Sequence, residues 1–270
     1  MIDQDRHPIA WREAGAGPPV VFLHGLGGSR TAWDLQLHAL ADRFRCIAWD
    51  MPGYGASAPP AELTFPAVAD SLAGLLDTLE IEASDLVGLS FGGMHALHAA
   101  IRHPSRVRRL VLAGTSPAFG LDGTSPQAWR ATRLGPIERG LAPVDFAGSV
   151  LDAICATPLE PEVRGRLVAS FGRITTGGFR AAVECLPTHD VRRELGDIDC
   201  PVLIIVGEAD RETPLAYAEA LAAGLPHSTL EVLDGVGHLS PAEAPDRFNR
   251  LVAEFLGRPA VGHNGAVTST

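Results

Sequence analysis

The 270-residue chain contains no lysine, so arginine supplies all 22 of its strongly basic side chains. Without a lysine amine the chain cannot form a Schiff base, hold pyridoxal phosphate covalently or build a P-loop. Its net charge is −10 at pH 7, and the sequence has no basic run. We therefore expect neither a nucleic acid nor an anionic membrane as a partner.

Cysteine and long apolar runs are also scarce. The four cysteines lie far apart and form neither a C-x-x-C motif nor a cysteine–histidine zinc pattern. The longest uninterrupted apolar run covers only residues 202–206, too short to cross a bilayer. The first twelve residues lack the apolar stretch of a signal peptide. These features predict a cytoplasmic protein with reduced thiols and no metal.

The rest of the composition is that of a globular protein, with 46% hydrophobic and 20% charged residues. Short β-branched runs alternate with longer helical patterns, which is typical of a mostly parallel sheet flanked by helices in an α/β fold. The predicted strands cover residues 9–13, 20–23, 46–49, 85–89, 109–112, 202–206 and 229–233. The predicted helices cover residues 31–41, 66–79, 92–102, 215–224 and 241–256.

One long interval breaks this alternation. Residues 115–193 contain helical stretches punctuated by prolines but no good strand pattern. Since an irregular loop of that length is improbable inside a compact domain, we expect an inserted helical cap. The predicted organisation is a core of residues 1–114 and 194–256, a cap of residues 115–193, and a flexible C-terminal tail of residues 257–270.

The strongest chemical signal is a G-x-S-x-G motif centred on Ser90, directly after a predicted strand and directly before a predicted helix. A sharp strand-to-helix turn needs neighbours without side chains, and Gly88, Gly92 and Gly93 meet that need. This context predicts a nucleophilic serine presented at the carboxyl edge of the sheet.

A serine hydroxyl needs a base, and the base needs an orienting acid. Functional loops of a parallel sheet follow the carboxyl ends of its strands. Among the histidines of the C-terminal third, only His238 lies just downstream of a predicted strand, because His227 precedes that strand and His263 lies in the tail. Glu208 and Asp210 both follow the strand over residues 202–206, so either is a candidate acid.

An acyl-transfer intermediate also needs two backbone N–H donors for its oxyanion. Phe91 follows the nucleophile and supplies one candidate donor. The loop His24-Gly25-Leu26-Gly27-Gly28 follows an early strand, and Leu26 is our candidate for the second donor. The same loop does not complete a dinucleotide-binding G-x-G-x-x-G, because Arg30 occupies the place of its last glycine.

Together these motifs resemble the α/β-hydrolase superfamily with a cap. The resemblance rests on the order Ser90, Asp210, His238, on the H-G-L-G-G loop, and on the segment D-M-P-G-Y-G-A-S that begins at Asp50. It is closest to 3-oxoadipate enol-lactonases and small carboxylesterases. It implies an α/β-hydrolase fold with a mostly parallel sheet of seven or eight strands, a stunted or absent first strand, and Asp210 as the acid.

The implied activity is hydrolysis of a carboxylic ester or lactone through an acyl-enzyme, with Ser90 as nucleophile, His238 as base, Asp210 as acid, and no cofactor. Alternatives are C–C bond hydrolysis, cofactor-free haloperoxidase or perhydrolase activity and, as a different class, a ligand receptor on the same fold. A receptor has no need for an aligned base, which disfavours it. The expected partner is a small-molecule ester or lactone, and the expected state is a monomer or a homodimer.

The substrate pocket is the least constrained part of this prediction. We expect it to be lined by Trp33, Trp129, Phe146, Phe171, Phe179 and Leu239. Arg130, Arg133 and Arg139 of the predicted cap are candidates to recognise a substrate carboxylate, although surface helices also carry arginine. His95 and His98 lie one helical turn apart but lack a third ligand at metal-binding spacing, so we interpret them as packing residues.

Overall fold

Eight strands form a single sheet in the computed structural model, which describes residues 1–5 and 7–258. In chain order the strands are β1 (Ile2–Gln4), β2 (Trp11–Ala14), β3 (Pro19–Leu23), β4 (Arg45–Trp49), β5 (Ser84–Leu89), β6 (Val107–Ala113), β7 (Val202–Gly207) and β8 (Ser228–Leu233). Their spatial order is β1-β2-β4-β3-β5-β6-β7-β8. The β1·β2 and β2·β4 pairs are antiparallel and the other pairs are parallel, which confirms the mostly parallel sheet.

Within the described residues, six helices of the core flank this sheet. Four of them connect strands: α1 (Asp34–Leu40), α2 (Phe65–Thr78), α3 (Phe91–Arg102) and α8 (Leu215–Gly224). The other two, α9 (Ser240–Glu243) and α10 (Pro245–Leu256), follow β8. The single helix predicted over residues 241–256 is wrong, because the chain breaks at Ala244 (φ −138°, ψ 57°) before Pro245 starts α10. Proline disfavours helical geometry in the residue before it and is well suited to the first position of a new helix.

Four helices lie between β6 and β7, in the interval expected to form a cap. They are α4 (Pro126–Glu138), α5 (Pro143–Ile154), α6 (Pro161–Phe171) and α7 (Thr176–Cys185). Proline opens α4, α5 and α6, where its missing N–H costs no intrahelical bond. Three of the prolines that punctuate this interval therefore start helices, whereas Pro136 lies inside α4 and Pro158 lies between α5 and α6. Of the predicted tail, residues 259–270, including His263, lie outside the described residues.

Alternating side chains of the buried strands supply two apolar layers, one on each face of the sheet. In β3, Val21 and Leu23 join the layer that includes α2, α3 and much of the cap. Val20 and Phe22 join the layer with α1 and α10 on the other face. This burial on both faces explains why β3 and β7 have almost continuous apolar sequences. Within the described ranges, no helix has both the length and the apolar character to cross a bilayer.

Three histidines meet where α3 contacts the inserted interval: His95 and His189 are buried, and His98 is half-buried. His189 Nε2 lies 2.8 Å from the Ser116 carbonyl oxygen, so it donates that bond, and its Nδ1 accepts from His98 Nε2 at 3.1 Å. His95 has no hydrogen-bond partner for either ring nitrogen among the described residues. All three pack around Phe65. As predicted for His95 and His98, their environment is one of packing.

Burial lowers the pKa of each of these histidines. The pKa of His98 falls to about 3 and that of His189 to about 4, and the pKa of His95 also lies well below its usual value. Above pH 6.5 these side chains are neutral in both the folded and unfolded states. Below it, the unfolded chain binds protons that the folded chain excludes, so the free energy of unfolding decreases as pH falls.

We expect His98→Gln to flatten this pH dependence. Glutamine retains an amide donor for His189 but does not titrate, so the free energy of unfolding should change with pH by about 1.4 kcal/mol less per pH unit between pH 6 and 5. Urea unfolding at several pH values measures that slope. The exposed His38 is the matched control, and His38→Gln should leave the slope unchanged. Equal slopes for His98→Gln and the wild type would contradict the assignment.

Candidate active site

Ser90 lies at the turn between β5 and α3 in a conformation that side-chain-bearing residues rarely adopt, with φ 55° and ψ −117°. Three neighbours fix this geometry. The Ser90 N–H donates to the Ala113 carbonyl at 2.8 Å, and the Ser90 carbonyl accepts from Gly93 N–H at 2.9 Å and from Thr115 Oγ1 at 2.7 Å. The backbone strain is thus held by the adjacent strand and the following helix.

The glycines of the motif are required by space. A Cβ on Gly88 would lie 2.5 Å from the Gly92 carbonyl oxygen, and one on Gly92 would lie 2.0 Å from that of Leu23. A Cβ on Gly93 would lie 2.7 Å from the Thr115 side chain. Any side chain at these positions would displace the backbone that presents Ser90.

His238 and Asp210 form a buried pair at the same edge of the sheet. His238 Nδ1 lies 2.9 Å from Asp210 Oδ2, so the ring donates from Nδ1 and its Nε2 is left for other partners. Asp210 Oδ1 accepts from the N–H groups of Glu212 and Thr213, both at 2.9 Å, and Oδ2 also accepts from Thr213 Oγ1 at 2.8 Å. These bonds fix the carboxylate that orients the imidazole.

The pair favours its charged form. Burial alone would raise the pKa of Asp210, but attraction to His238 and three hydrogen bonds, one from His238 and two from Thr213, outweigh it and lower that pKa. Burial would likewise lower the pKa of His238, yet the Asp210 charge and hydrogen bond raise it. An imidazole that gains a proton here is therefore stabilised by its partner.

The other candidate acid lies elsewhere. Glu208 is exposed, and its Oε2 accepts from the Gly235 N–H at 3.1 Å. It makes no hydrogen bond to His238 among the described residues. Only Asp210 of the two therefore has the geometry to orient the imidazole.

The loop after β3 places backbone beside Ser90. A Cβ on Gly25 would lie 3.4 Å from Ser90 Cβ, so the Gly25–Leu26 peptide runs against the serine. His24 holds the loop: its Nε2 accepts from Met51 N–H at 3.0 Å, which leaves Nδ1 to donate to the Gly25 carbonyl at 2.9 Å. On the other side, Phe91 is the first residue of α3, and its N–H has no intrahelical acceptor.

The cap packs directly on this loop. A Cβ on Gly27 would lie 2.0 Å from the ring of Phe171, so this side chain of α6 packs directly against the loop backbone. Ser29 Oγ and the Ser170 hydroxyl are 2.7 Å apart and fully buried. The buried Asp50 accepts from Arg30 N–H at 2.9 Å and from the Arg173 guanidinium at 3.2 Å. Asp50 thus organises its own turn and its connection to the cap.

A cavity of about 340 Å³ lies between the sheet edge and the cap. Ser90, His238 and Leu26 line it on the core side. All six side chains predicted for the substrate pocket also line it: Trp33, Trp129, Phe146, Phe171, Phe179 and Leu239. Among the described residues no hydrogen bond joins Ser90 Oγ to His238, and such bonds often tighten only when substrate is bound.

Of the three cap arginines considered for carboxylate recognition, only Arg133 lines the cavity. Its guanidinium lies 4.6 Å from the centre of the Trp129 ring and forms an ion pair with Glu212, which also lines the cavity. Arg130 pairs instead with the exposed Glu184. The positive charge in the cavity is therefore already neutralised by a carboxylate of the protein.

Sequence reasoning missed several residues that support the site. Thr213 bonds Asp210, Thr115 bonds the Ser90 carbonyl, and Glu243 accepts from the backbone on both sides of His238. Thr213 follows Asp210 by three residues, a spacing typical of a side chain that closes a turn. The partner of Thr115, Ser90, is distant in sequence, and so are the cap partners of Glu243. The nearer partners of Glu243 lie on the other side of the four-residue helix α9, and no local pattern indicated them.

Comparison with known proteins places the chain in a family. A family model for the alpha/beta hydrolase fold matches residues 18–245. The chain is 30% identical over 250 residues to 3-oxoadipate enol-lactonase 2 of Acinetobacter baylyi, covering 89% of each chain. It is 36% identical to 2-hydroxymuconate semialdehyde hydrolase of Pseudomonas sp. strain CF600, covering 90% of this chain and 88% of that one.

A solved structure gives the same result. The thermophilic esterase of Thermogutta terrifontis is 31% identical and superposes with a TM-score of 0.83, covering 92% of this chain and 93% of that one. The family match, the eight-stranded sheet and its inserted helices agree with the resemblance inferred from the motifs. The chain belongs to the α/β-hydrolase family, close to enol-lactonase-like enzymes.

Proposed function

We propose that this α/β-hydrolase cleaves carboxylic esters or lactones through an acyl-enzyme formed on Ser90. One observation carries the proposal: a strained Ser90 and a His238 held by Asp210 line the same cavity, beside backbone N–H groups of two loops. A nucleophile, a base, an orienting acid and oxyanion donors are the requirements of serine-dependent acyl transfer.

In this mechanism Ser90 Oγ attacks the substrate carbonyl carbon while His238 Nε2 takes the hydroxyl proton. The tetrahedral oxyanion accepts hydrogen bonds from the Leu26 and Phe91 N–H groups. As the intermediate collapses, the imidazolium gives its proton to the leaving alkoxide, which departs as the alcohol. A water molecule, deprotonated by His238, then attacks the acyl-enzyme and releases the carboxylic acid and the free serine.

The cavity lining supports a substrate without a net charge. Its walls are mostly aliphatic and aromatic, and Arg133, the one arginine among the described residues that line it, is paired with Glu212. A substrate carboxylate would have to compete with Glu212 for Arg133 or remain unpaired in an apolar site, and both cost free energy. We therefore propose uncharged esters or lactones with an apolar acyl group of modest length.

A second candidate is hydrolysis of a C–C bond. It is favoured by the 36% identity to a relative named for hydrolysis of a semialdehyde. The two activities separate experimentally, because a C–C hydrolase turns over a vinylogous β-diketone but not a simple ester. Assaying the wild type with 4-nitrophenyl esters of increasing chain length, γ- and δ-lactones and such a diketone tests both proposals.

The first prediction for this mechanism concerns Ser90, the proposed nucleophile. Ser90→Ala should fold normally and lose on the order of 10⁶ in kcat, the scale expected when such a nucleophile is removed. A fluorophosphonate probe followed by peptide mass spectrometry should label the wild type once, at Ser90. Labelling elsewhere, or near-normal ester turnover by the variant, would contradict the proposal.

The second prediction for this mechanism concerns Asp210, the proposed acid. Asp210→Asn should favour the wrong imidazole tautomer and lower kcat by on the order of 10⁴, because the amide cannot stabilise the imidazolium. Glu208→Gln is the matched control and should leave kcat within about twofold, since among the described residues Glu208 bonds the Gly235 backbone and not His238. A larger loss from Glu208→Gln than from Asp210→Asn would reverse the assignment.

Glu212 gives the third prediction, which concerns substrate charge. Glu212→Gln leaves Arg133 without its carboxylate, so the cavity should then favour an anionic substrate. The measured quantity is kcat/KM for the 4-nitrophenyl monoester of adipic acid divided by that for its uncharged isostere, 4-nitrophenyl 6-methylheptanoate. We expect this ratio to rise about tenfold, or about 1.4 kcal/mol.

Glu184→Gln is the control for that experiment. It removes the same charge from the Arg130 pair, which lies on the cap but outside the cavity lining. Its substrate ratio should match that of the wild type. An unchanged ratio in Glu212→Gln, or an equal rise in both variants, would show that Arg133 does not discriminate by charge.

A further inference from the structure

Glu243 connects two parts of the chain that are far apart in sequence. It ends α9, five residues after His238. Its Oε1 accepts from Leu239 N–H at 3.0 Å and its Oε2 from Gly237 N–H at 3.0 Å, so the carboxylate is bonded to the residues on both sides of His238.

The same carboxylate also binds the cap. Oε2 accepts from Ala156 N–H at 2.7 Å and from Thr157 N–H at 3.3 Å, just beyond the end of α5. Hydrogen bonds from backbone N–H groups to a carboxylate are stronger than those between neutral groups. One side chain therefore fixes the loop of the proposed base and the end of a cap helix relative to each other.

The loop that carries His238 and the segment at the end of α5 make further close contacts. The His238 N–H donates to the Ile154 carbonyl at 3.0 Å. A Cβ on Gly237 would lie 2.5 Å from the Ala156 nitrogen, so only glycine allows this approach. Helix α5 also supplies Phe146, Val150 and Ile154 to the cavity lining. A displacement of α5 would therefore change both the cavity wall and the backbone that carries His238.

We propose that Glu243 is a positioning residue that couples the placement of cap helix α5 to the orientation of the base His238. The cap then helps to set the reactive geometry as well as covering the substrate. This inference rests on the proposed role of His238 in ester hydrolysis. Glu243 itself touches neither Ser90 nor His238 side-chain atoms through a hydrogen bond among the described residues, so it acts through the loop.

The pH dependence of the reaction reports this role. The charged groups that face His238 are Asp210 and Glu212, which raise its pKa, and Arg133 of the cap, which lowers it. Asp210 makes the larger favourable contribution and depends on the 2.9 Å bond to Nδ1. If the loop loosens, that bond weakens and the pKa of His238 falls towards its ordinary value, so the acid limb of kcat/KM moves to lower pH.

The test compares four variants with the wild type on 4-nitrophenyl butyrate, and the fourth is the conservative Glu243→Asp. Glu243→Gln replaces one accepting oxygen with an amide group that cannot accept from the backbone donors. Ala156→Pro removes the shorter of the two hydrogen bonds that the cap donates to Glu243 and puts a ring carbon in place of the N–H, while Thr157 N–H and the bonds from Gly237 and Leu239 are retained. The preceding Cys155 is extended (φ −85°, ψ 139°), a conformation compatible with a following proline. Glu254→Gln, on the exposed face of α10, is the charge-matched control.

We expect Glu243→Gln to lower kcat by about 10- to 100-fold with KM within about twofold, and to move the acid limb to lower pH. Ala156→Pro should change kcat and the acid limb in the same directions by smaller amounts, and Glu254→Gln should match the wild type. Glu243→Asp keeps both oxygens on a shorter side chain and should recover part of the loss. Thermal unfolding by circular dichroism establishes the folded fraction of each variant.

Two results would overturn the inference. One is a folded Glu243→Gln variant with wild-type kcat and acid limb. The other is an Ala156→Pro variant that leaves both unchanged, which would show that the cap contact does not influence the base. A loss of stability alone lowers the folded fraction without moving the acid limb. Failure of the proposed function is a separate result, because it appears in the wild type as the absence of fluorophosphonate labelling at Ser90.

Discussion

The strained turn at Ser90 is the constraint on which the rest of the site depends. A serine with φ 55° is held at a cost of about 1–3 kcal/mol, and it persists only where its surroundings leave no alternative. Here β6 supplies the acceptor for its N–H, and Thr115, directly after β6, binds its carbonyl. The glycines leave the space in which strand, helix and loop meet. The turn is therefore a product of the whole sheet edge.

The parallel sheet explains why distant residues meet at this edge. Ser90 follows β5, Asp210 follows β7 and His238 follows β8, so all three leave the sheet at the carboxyl ends of parallel strands. The loop after β3 joins them because β3 pairs directly with β5. Burial makes the arrangement electrostatically effective. Asp210 and His238 each shift the pKa of the other towards the charged form, although burial alone would do the opposite.

Much of this could be predicted from the sequence, because the signals are local. The G-x-S-x-G turn, the apolar strands and the order of motifs each depend on a few adjacent residues. What could not be predicted depends on distant contacts or weak patterns. The strand Ile2–Gln4 has three residues and no apolar alternation, so no local pattern located it, although the resemblance implied a stunted or absent first strand; it pairs with the edge of β2. The histidine group depends on His189 of the inserted interval meeting α3, which no spacing in the sequence indicates.

The role of the cap also depends on distant contacts that the sequence does not indicate. These contacts suggest that the cap does more than cover the site. By sequence, the interval over residues 115–193 contains none of the proposed nucleophile, base, acid or oxyanion donors, which favours reading it as a cover. Its contacts, however, fall on the loops that carry those groups. Phe171 packs on Gly27 of the loop after β3, and Glu243 joins the end of α5 to both neighbours of His238. A cover fixed at these two points cannot move far without moving the loops beneath it. Under the proposed function, the contacts that place the cap over the substrate also place the proposed reactive groups, so we expect selectivity and rate to depend on one set of contacts.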